Sequence, residues 1–337
     1  MNADAFIVAE MSANHCGRLD VAKGVIAEAK ACGADAVKVQ TYTADTMTLD
    51  CKADCFKVHG SGQWDGQYLY DLYKNAGLPW EWHAELKSYA DSLGIEFFST
   101  PYDKTAVDFL DDLDVRRFKI ASFEAVDIPL IRHVAAKGKP MIISTGICTP
   151  DEMQEAVDAC HAEGNNDVTL LKCTSAYPAA PETMNLSTIG DMISRFGPQG
   201  VKVGLSDHTM TTEAAVVAVS LGATMVERHF TVDRSLGGAD AAFSATPNEF
   251  RQMVEAVRLA ERLLGHVDYS INPVARDFAR SLFVCADMKK GDAFTETNLR
   301  SLRPNVGCAP KLLPSLLGRR AACDLKRGAP MREDFAT

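Results

Sequence analysis

Residues 205–208 read LSDH and residues 227–230 read ERHF. Each histidine, His208 and His229, closes an apolar run rich in β-branched residues. A single imidazole at the end of a buried strand is most often a hydrogen-bonded core residue. Two at the ends of successive strands bring two neutral nitrogen ligands towards one point. Two histidines, with the rest of the shell open to water and substrate, suit a catalytic divalent metal better than a closed structural zinc site.

Other polar residues end similar runs: Lys38 with Gln40, Thr100, Lys119 with Ser122, Ser144 and Ser206. Side chains alternate along a strand, so Lys38 and Gln40 share one face of AVKVQ while Val37 and Val39 share the other. A lysine in a protein interior costs several kcal/mol unless it is paired or binds an anion. Any one of these serines or threonines alone reads as strand-end filler. Taken together with two lysines they describe an anion pocket. Glu10 is the one carboxylate that ends a strand in the N-terminal half, which makes it a candidate acid or base.

These residues need a scaffold that gathers strand ends. The spacing predicts strands at 6–10, 36–42, 95–100, 117–122, 140–145, 168–173, 201–206 and 224–229. Helical patterns lie between them at 20–32, 81–93, 104–112, 126–137, 150–162 and 211–221, with another at 247–264. Eight alternating units over about 250 residues predict an α/β fold, a closed (β/α)8 TIM barrel, with its chemistry at the C-terminal strand ends. Residues 43–79 are too long for a simple connection and contain Trp64, Tyr68 and Tyr70, so they are expected to form a lid over the barrel mouth.

After residue 265 the rhythm changes. The expected organisation is a catalytic barrel over 1–265, a linker over 266–279 and a small, mostly β domain over 280–337. In that small domain KKGD and KRGA form a loose pseudo-repeat of a turn after a short strand.

The totals narrow the function classes. The chain has 337 residues and a net charge of −10. That charge argues against nonspecific nucleic-acid binding. The first residues show no cationic, long-apolar leader, and no stretch approaches the roughly 18 apolar residues of a membrane span. Ten cysteines are scattered along the chain, which reads as reduced thiols in a cytoplasmic protein. Cys51 and Cys55 form the closest pair, but only His59 is near, too few ligands for a zinc clip.

Seven segments, IVAEMSANH, DAVKVQTYT, FFSTPYD, FKIASFE, IISTG, GLSDHT and ERHFTVDRSLGGAD, resemble the sialic acid synthase family of phosphoenolpyruvate-condensing enzymes. The C-terminal segment resembles that family's antifreeze-like (SAF) domain, so the resemblance covers essentially the whole chain. It implies that Lys38, Thr100, Lys119, Ser122, Ser144 and Ser206 hold phosphoenolpyruvate, with Gln40 and Tyr177 lining the same pocket. His208 and His229 would bind Mn2+ or Mg2+, Glu10 would move protons, and Asp240 would hydrogen-bond hydroxyls of an open-chain N-acyl amino sugar. Arg303, in RPNVG, would reach that sugar from the small domain of a partner subunit, which implies a domain-swapped homodimer.

Three positions depart from the family pattern. Ser175 stands in CTSAYP where asparagine is usual, which bears on that substrate contact, Cys16 replaces a polar residue, and Asn305 replaces a glycine. Asparagine tolerates a left-handed backbone, so the turn at Asn305 can survive. Two other readings stay open at this level. One is an aldolase that uses Lys38 or Lys119 as a Schiff-base nucleophile. The other is a non-catalytic binding protein.

Overall fold

The computed structural model describes residues 4–60 and 64–337. All eight expected barrel strands form. They are β1 (Phe6–Glu10), β2 (Ala36–Thr41), β3 (Glu96–Pro101), β4 (Phe118–Ile120), β5 (Met141–Ser144), β6 (Val168–Cys173), β7 (Lys202–Asp207) and β8 (Met225–His229). Each pairs in parallel with the next, and β8 closes on β1. The strands are buried on both faces, as a sheet covered by crossover helices must be. β4 is shorter than the pattern suggested because the chain turns at Ala121 into a 3-10 turn over Ser122–Glu124.

Helices connect the strands, and several begin at side-chain caps. Thr149 and Thr246 form capping boxes with Glu152 and Glu249, and Asp103 and Asp127 accept backbone N–H groups at two further starts. One crossover helix, Thr188–Phe196, escapes the sequence pattern. It is short and carries Gly190. It buries Ile189, Met192 and Phe196, at spacings of three and four, with Ile193 packed beside them, too few repeats to stand out.

Alternation along the strands builds the barrel interior in layers. The lowest is an apolar plug of Val8, Ala36, Phe98, Ile142, Leu171 and Met225, all essentially buried. Gly204 belongs to this level. A Cβ there would lie 2.6 Å from both Leu171 Cδ2 and the Met225 carbonyl oxygen, so no larger residue fits without a shift. Two residues further along β1, β2, β7 and β8 come Glu10, Lys38, Ser206 and Glu227. The register places Glu10 beside both Lys38 and His229, and Ser206 beside Glu227. Two residues span about 6.6 Å, so the charged level sits directly on the plug and His229 stands one level higher, with His208 one residue beyond β7.

The chain divides into two compact units, the first ending at Gly265 and the second running from His266 to Thr337. The second unit is built on the antiparallel pair β9 (Ser281–Val284) and β10 (Leu299–Leu302). Its own core contains Leu282, Val284, Phe294, Leu299, Leu316 and Met331. The KKGD and KRGA turns prove to be reciprocal. Lys289 pairs with Asp324 and Lys326 with Asp287, each at 2.8 Å, across a Met288–Leu325 bridge, with Gly291 and Gly328 both left-handed. Asn305 is not left-handed. Among the positions that depart from the family pattern, the positive φ, 51°, falls on Cys16.

Behind β2 and β3 lies a buried polar chain. Thr41 Oγ1 is 2.7 Å from His83 Nε2 and 2.6 Å from Ser99 Oγ, and His83 Nδ1 faces the Pro79 carbonyl. A carbonyl only accepts, so Nδ1 carries the proton and Nε2 accepts from Thr41. Burial lowers the His83 pKa to about 4 from its ordinary 6.5. The unfolded chain therefore binds this proton first. The stability that goes with neutral His83 is full above about 6.5 and is lost as pH falls towards 4. Measured by denaturant unfolding, the stability of the native chain relative to His83→Gln should fall by about 2 kcal/mol between roughly pH 7 and pH 5. An unchanged difference would contradict the assignment of His83 as a buried neutral base.

Candidate active site

At the charged level, Lys38 Nζ lies 2.6 Å from Glu10 Oε2 and 3.7 Å from Glu227 Oε1, and Lys119 Nζ lies 3.5 Å from the same Glu227 oxygen. All four side chains are buried. Lys38 also donates to Thr100 Oγ1 at 3.1 Å. Gln40 Nε2 donates to Glu10 Oε1 at 3.1 Å and to Ser12 Oγ at 3.0 Å, and Ser12 donates to Glu10. Burial opposes charge on Lys38, but Glu10 and Glu227 outweigh it and hold the ammonium above its ordinary range. Lys119 is pushed down, first by burial and then by Lys38. Burial also opposes the charge on Glu227, yet the two lysines keep it ionised below the usual carboxylate range.

The two lysines are thus not bare cations awaiting an anion. They form part of a near-neutral layer with two carboxylates. Glu227 is the member that sequence reasoning missed. Its signal was present, since in ERH it sits two residues before His229 and so must share that residue's inward face.

At the rim, the rings of His208 and His229 lie 5.4 Å apart. His208 Nδ1 faces the Thr174 carbonyl at 2.9 Å, so it carries a proton, and the ring also meets the Cys173 thiol; burial opposes charge on His208, but the Cys173 contact outweighs it and raises its pKa. His229 is half-buried, its Nδ1 is enclosed without a hydrogen-bond partner among the described residues, and burial followed by the nearby His208 holds it well below its ordinary pKa, hence neutral. A buried Glu227 Oε2 and Ser144 Oγ are also without partners among the described residues. Two facing imidazoles, one with an orphaned nitrogen among the described residues, fit a divalent ion that keeps open positions for water and substrate. The described residues hold no set of three or more protein ligands, so the closed structural type of site is not built here.

The lysines, Glu10, Gln40, Ser122, Ser144, Ser206, the histidines, Tyr177 and Asp240 all line one cavity of about 470 Å3. Asp240 accepts from Ala13 N–H at 3.1 Å, and burial pushes its carboxyl up to about 6. Ser12, left-handed at φ 45°, shapes the turn that delivers this N–H. Ser175 contacts Ser122, to which it donates at 3.0 Å, and Thr100 works through Lys38. Glu124 is a second carboxylate in the cavity wall that the sequence reading passed over. Burial raises it to about 7. Arg303 is exposed and lies in the second unit.

The segment between β2 and β3 does form part of this cavity. Its helix Leu69–Ala76 places Leu72, Tyr73 and Ala76 on the cavity wall. His15 ties that helix down: Nδ1 accepts from Gly17 N–H, so Nε2 donates to the Ala76 carbonyl at 3.2 Å. Trp64 faces the site, packing against Tyr177 and Phe243. Tyr68 and Tyr70 instead serve the segment itself, stacking with Lys52 and donating to Asp45. Cys51 and Cys55 are free thiols, and His59 pairs with Asp54.

A second buried pair stands behind the rim. Arg228 donates to the Thr211 and Thr209 carbonyls at 2.6 and 2.9 Å and lies 3.5 Å from Asp207, which itself accepts from Thr209 N–H. These contacts fix the turn that begins at His208.

A closed parallel barrel with a charged, partly apolar cavity at its C-terminal mouth defines a TIM-barrel enzyme. Residues 25–269 match the NeuB family and residues 279–335 match the SAF domain, and the chain belongs to the NeuB family. It is 45% identical to the pseudaminic acid synthase of Helicobacter pylori, covering 97% of this chain and 96% of that one. It is 45% identical to a pseudaminic acid synthase of Campylobacter jejuni, with 98% and 96% covered. Among solved structures it resembles the N-acetylneuraminic acid (sialic acid) synthetase of Leptospira borgpetersenii, with a TM-score of 0.71 at 30% identity, covering 82% of this chain and 90% of that one. It also resembles the spore coat polysaccharide biosynthesis protein spsE of Bacillus subtilis, with a TM-score of 0.68 at 34% identity, covering 100% and 96%.

The charged layer makes a stability prediction. Lys38→Met leaves Glu10 and Glu227 buried beside one fewer cation and should cost about 3–5 kcal/mol. Adding Glu10→Gln should recover part of that loss in thermal or denaturant unfolding. Strictly additive losses would show that the two groups do not interact.

Proposed function

We propose that this chain catalyses the pseudaminic acid synthase reaction, condensing phosphoenolpyruvate with 2,4-diacetamido-2,4,6-trideoxy-L-altrose to give pseudaminic acid and phosphate. Near-full-length identity of 44–45% to three pseudaminic acid synthases carries this reading. The charged barrel layer supports its chemistry.

Lys38 and Lys119 would offset the charge of the phosphate and carboxylate, with Ser122, Ser144 and Ser206 as donors around them. This is electrostatic preorganisation in a buried site. The unpartnered Ser144 hydroxyl is free for such a role. His208 and His229 would hold Mn2+ or Mg2+, which would supply Lewis acidity towards the sugar aldehyde. C3 of phosphoenolpyruvate bonds to the aldehyde carbon, water adds at C2, and the C–O bond to phosphate breaks as the new C2 hydroxyl becomes the ketone. The water gives up both its protons, one to the aldehyde oxygen and one to the departing phosphate, and Glu10 would move the first. Gln40 and Tyr177 would line the phosphoenolpyruvate pocket, Ser175 would act through Ser122, and Asp240 would bind sugar hydroxyls. Arg303 would reach the N-acyl sugar from the small domain of a partner in a domain-swapped homodimer. No described helix is long and apolar enough to cross a membrane, and we place the reaction in the cytoplasm. A Schiff-base aldolase on Lys38 or Lys119 fits less well, because the paired histidines would have no task.

Incubation with phosphoenolpyruvate, Mn2+ and the L-altrose sugar should release phosphate and give a product of pseudaminic acid mass. Release only with N-acetylmannosamine or a diacetamido-mannose isomer would instead make the chain an N-acetylneuraminate or legionaminate synthase. His208→Ala and His229→Ala should each lose at least about a hundredfold in rate, the scale of a lost electrostatic catalyst, while circular dichroism shows an intact fold. Near-normal turnover of either variant in the presence of a chelator would overturn the metal assignment.

A further inference from the structure

We propose that Trp64 is a specificity residue that recognises one N-acyl group of the sugar, an inference that rests on the substrate class given above. Trp64 lines the cavity, and its Nε1 is buried without a hydrogen-bond partner among the described residues. An indole N–H can only donate, so it needs an acceptor from elsewhere. Around it stand two further rings, Tyr177 at 6.1 Å and Phe243 at 6.2 Å between centroids. Those rings in turn pack on the histidines, Tyr177 at 4.3 Å from His208 and Phe243 at 5.0 Å from His229. The result is an apolar recess with one unsatisfied donor, beside the place where the sugar's aldehyde end would lie.

An N-acyl group matches that recess. It offers a carbonyl that only accepts, flanked by a methyl that prefers aromatic surroundings. A sugar hydroxyl supplies an acceptor but no apolar surface for the rings to cover. The phosphate and carboxylate of phosphoenolpyruvate are the wrong chemistry for an aromatic recess and have the lysine layer below. A site with an unpaired buried donor rejects ligands that cannot fill it, so the same contact that binds an N-acyl sugar discriminates against its hydroxyl analogue.

Steady-state kinetics of Trp64→Phe test this, since phenylalanine keeps a ring and removes the donor. Three sugars are compared: the diacetamido sugar and two analogues in which the C2 or the C4 acetamido group is replaced by hydroxyl. KM for the diacetamido sugar should rise about 10- to 100-fold, the scale of one buried hydrogen bond, while KM for phosphoenolpyruvate stays within about twofold. The native chain should discriminate against one of the two analogues, and Trp64→Phe should largely erase that discrimination. An unchanged KM, or an equal loss on all three sugars, would overturn the proposal and leave Trp64 a packing residue. If the native chain accepts no L-altrose sugar, the assigned reaction fails while the role of Trp64 is decided by the same comparison on whichever N-acyl sugar releases phosphate.

Discussion

The site depends on a buried ionic layer inside the barrel, Glu10, Lys38, Lys119 and Glu227, resting on an apolar plug. None of these charges could be buried alone. Together they are nearly neutral, and the lysines hold their positions through carboxylates rather than water. The plug below denies them solvent from the far end of the barrel. The parallel register pairs Glu10 of β1 with Lys38 of β2 and with His229 of β8, and closure of the barrel brings Glu227, two residues before His229, to both lysines. Closure of the barrel is therefore what makes the charge cluster possible.

Around this layer the chain builds outward in two directions. One level up, His208 and His229 face each other, with the turn after β7 held by buried Arg228 and Asp207. Across the cavity, the segment between β2 and β3 supplies half-buried apolar side chains that belong to no core. One wall is charged and rigid and the other is apolar. That division suits a reaction between a small anion and an amino sugar with acyl groups.

Much of this was legible in the sequence because parallel strands repeat a strict two-residue alternation. Lys38 and Gln40, or Ser206 and His208, can be assigned inward from spacing alone, and eight such runs imply closure. What stayed hidden depends on contacts between distant segments. Glu227 lies inside a run read mainly for its terminal histidine, and its role appears only once β4 and β2 bring lysines to it. Ser12 and Glu124 sit in turns, where alternation gives no guidance. The helix Thr188–Phe196 is short and carries a glycine, so its apolar repeat is too brief to announce itself. Trp64 was recognisable as part of a lid, but its unpaired N–H is a property of the assembled cavity.

The account separates an anion-holding ionic layer from a metal-holding rim above it. Calorimetric titration of phosphoenolpyruvate into the metal-free native chain, Lys119→Met and His229→Ala measures that separation directly. The account predicts binding within a few-fold of native for His229→Ala and a loss of at least about tenfold for Lys119→Met, the scale of one buried charged hydrogen bond. Native-like binding by Lys119→Met, with binding lost in His229→Ala, would contradict it.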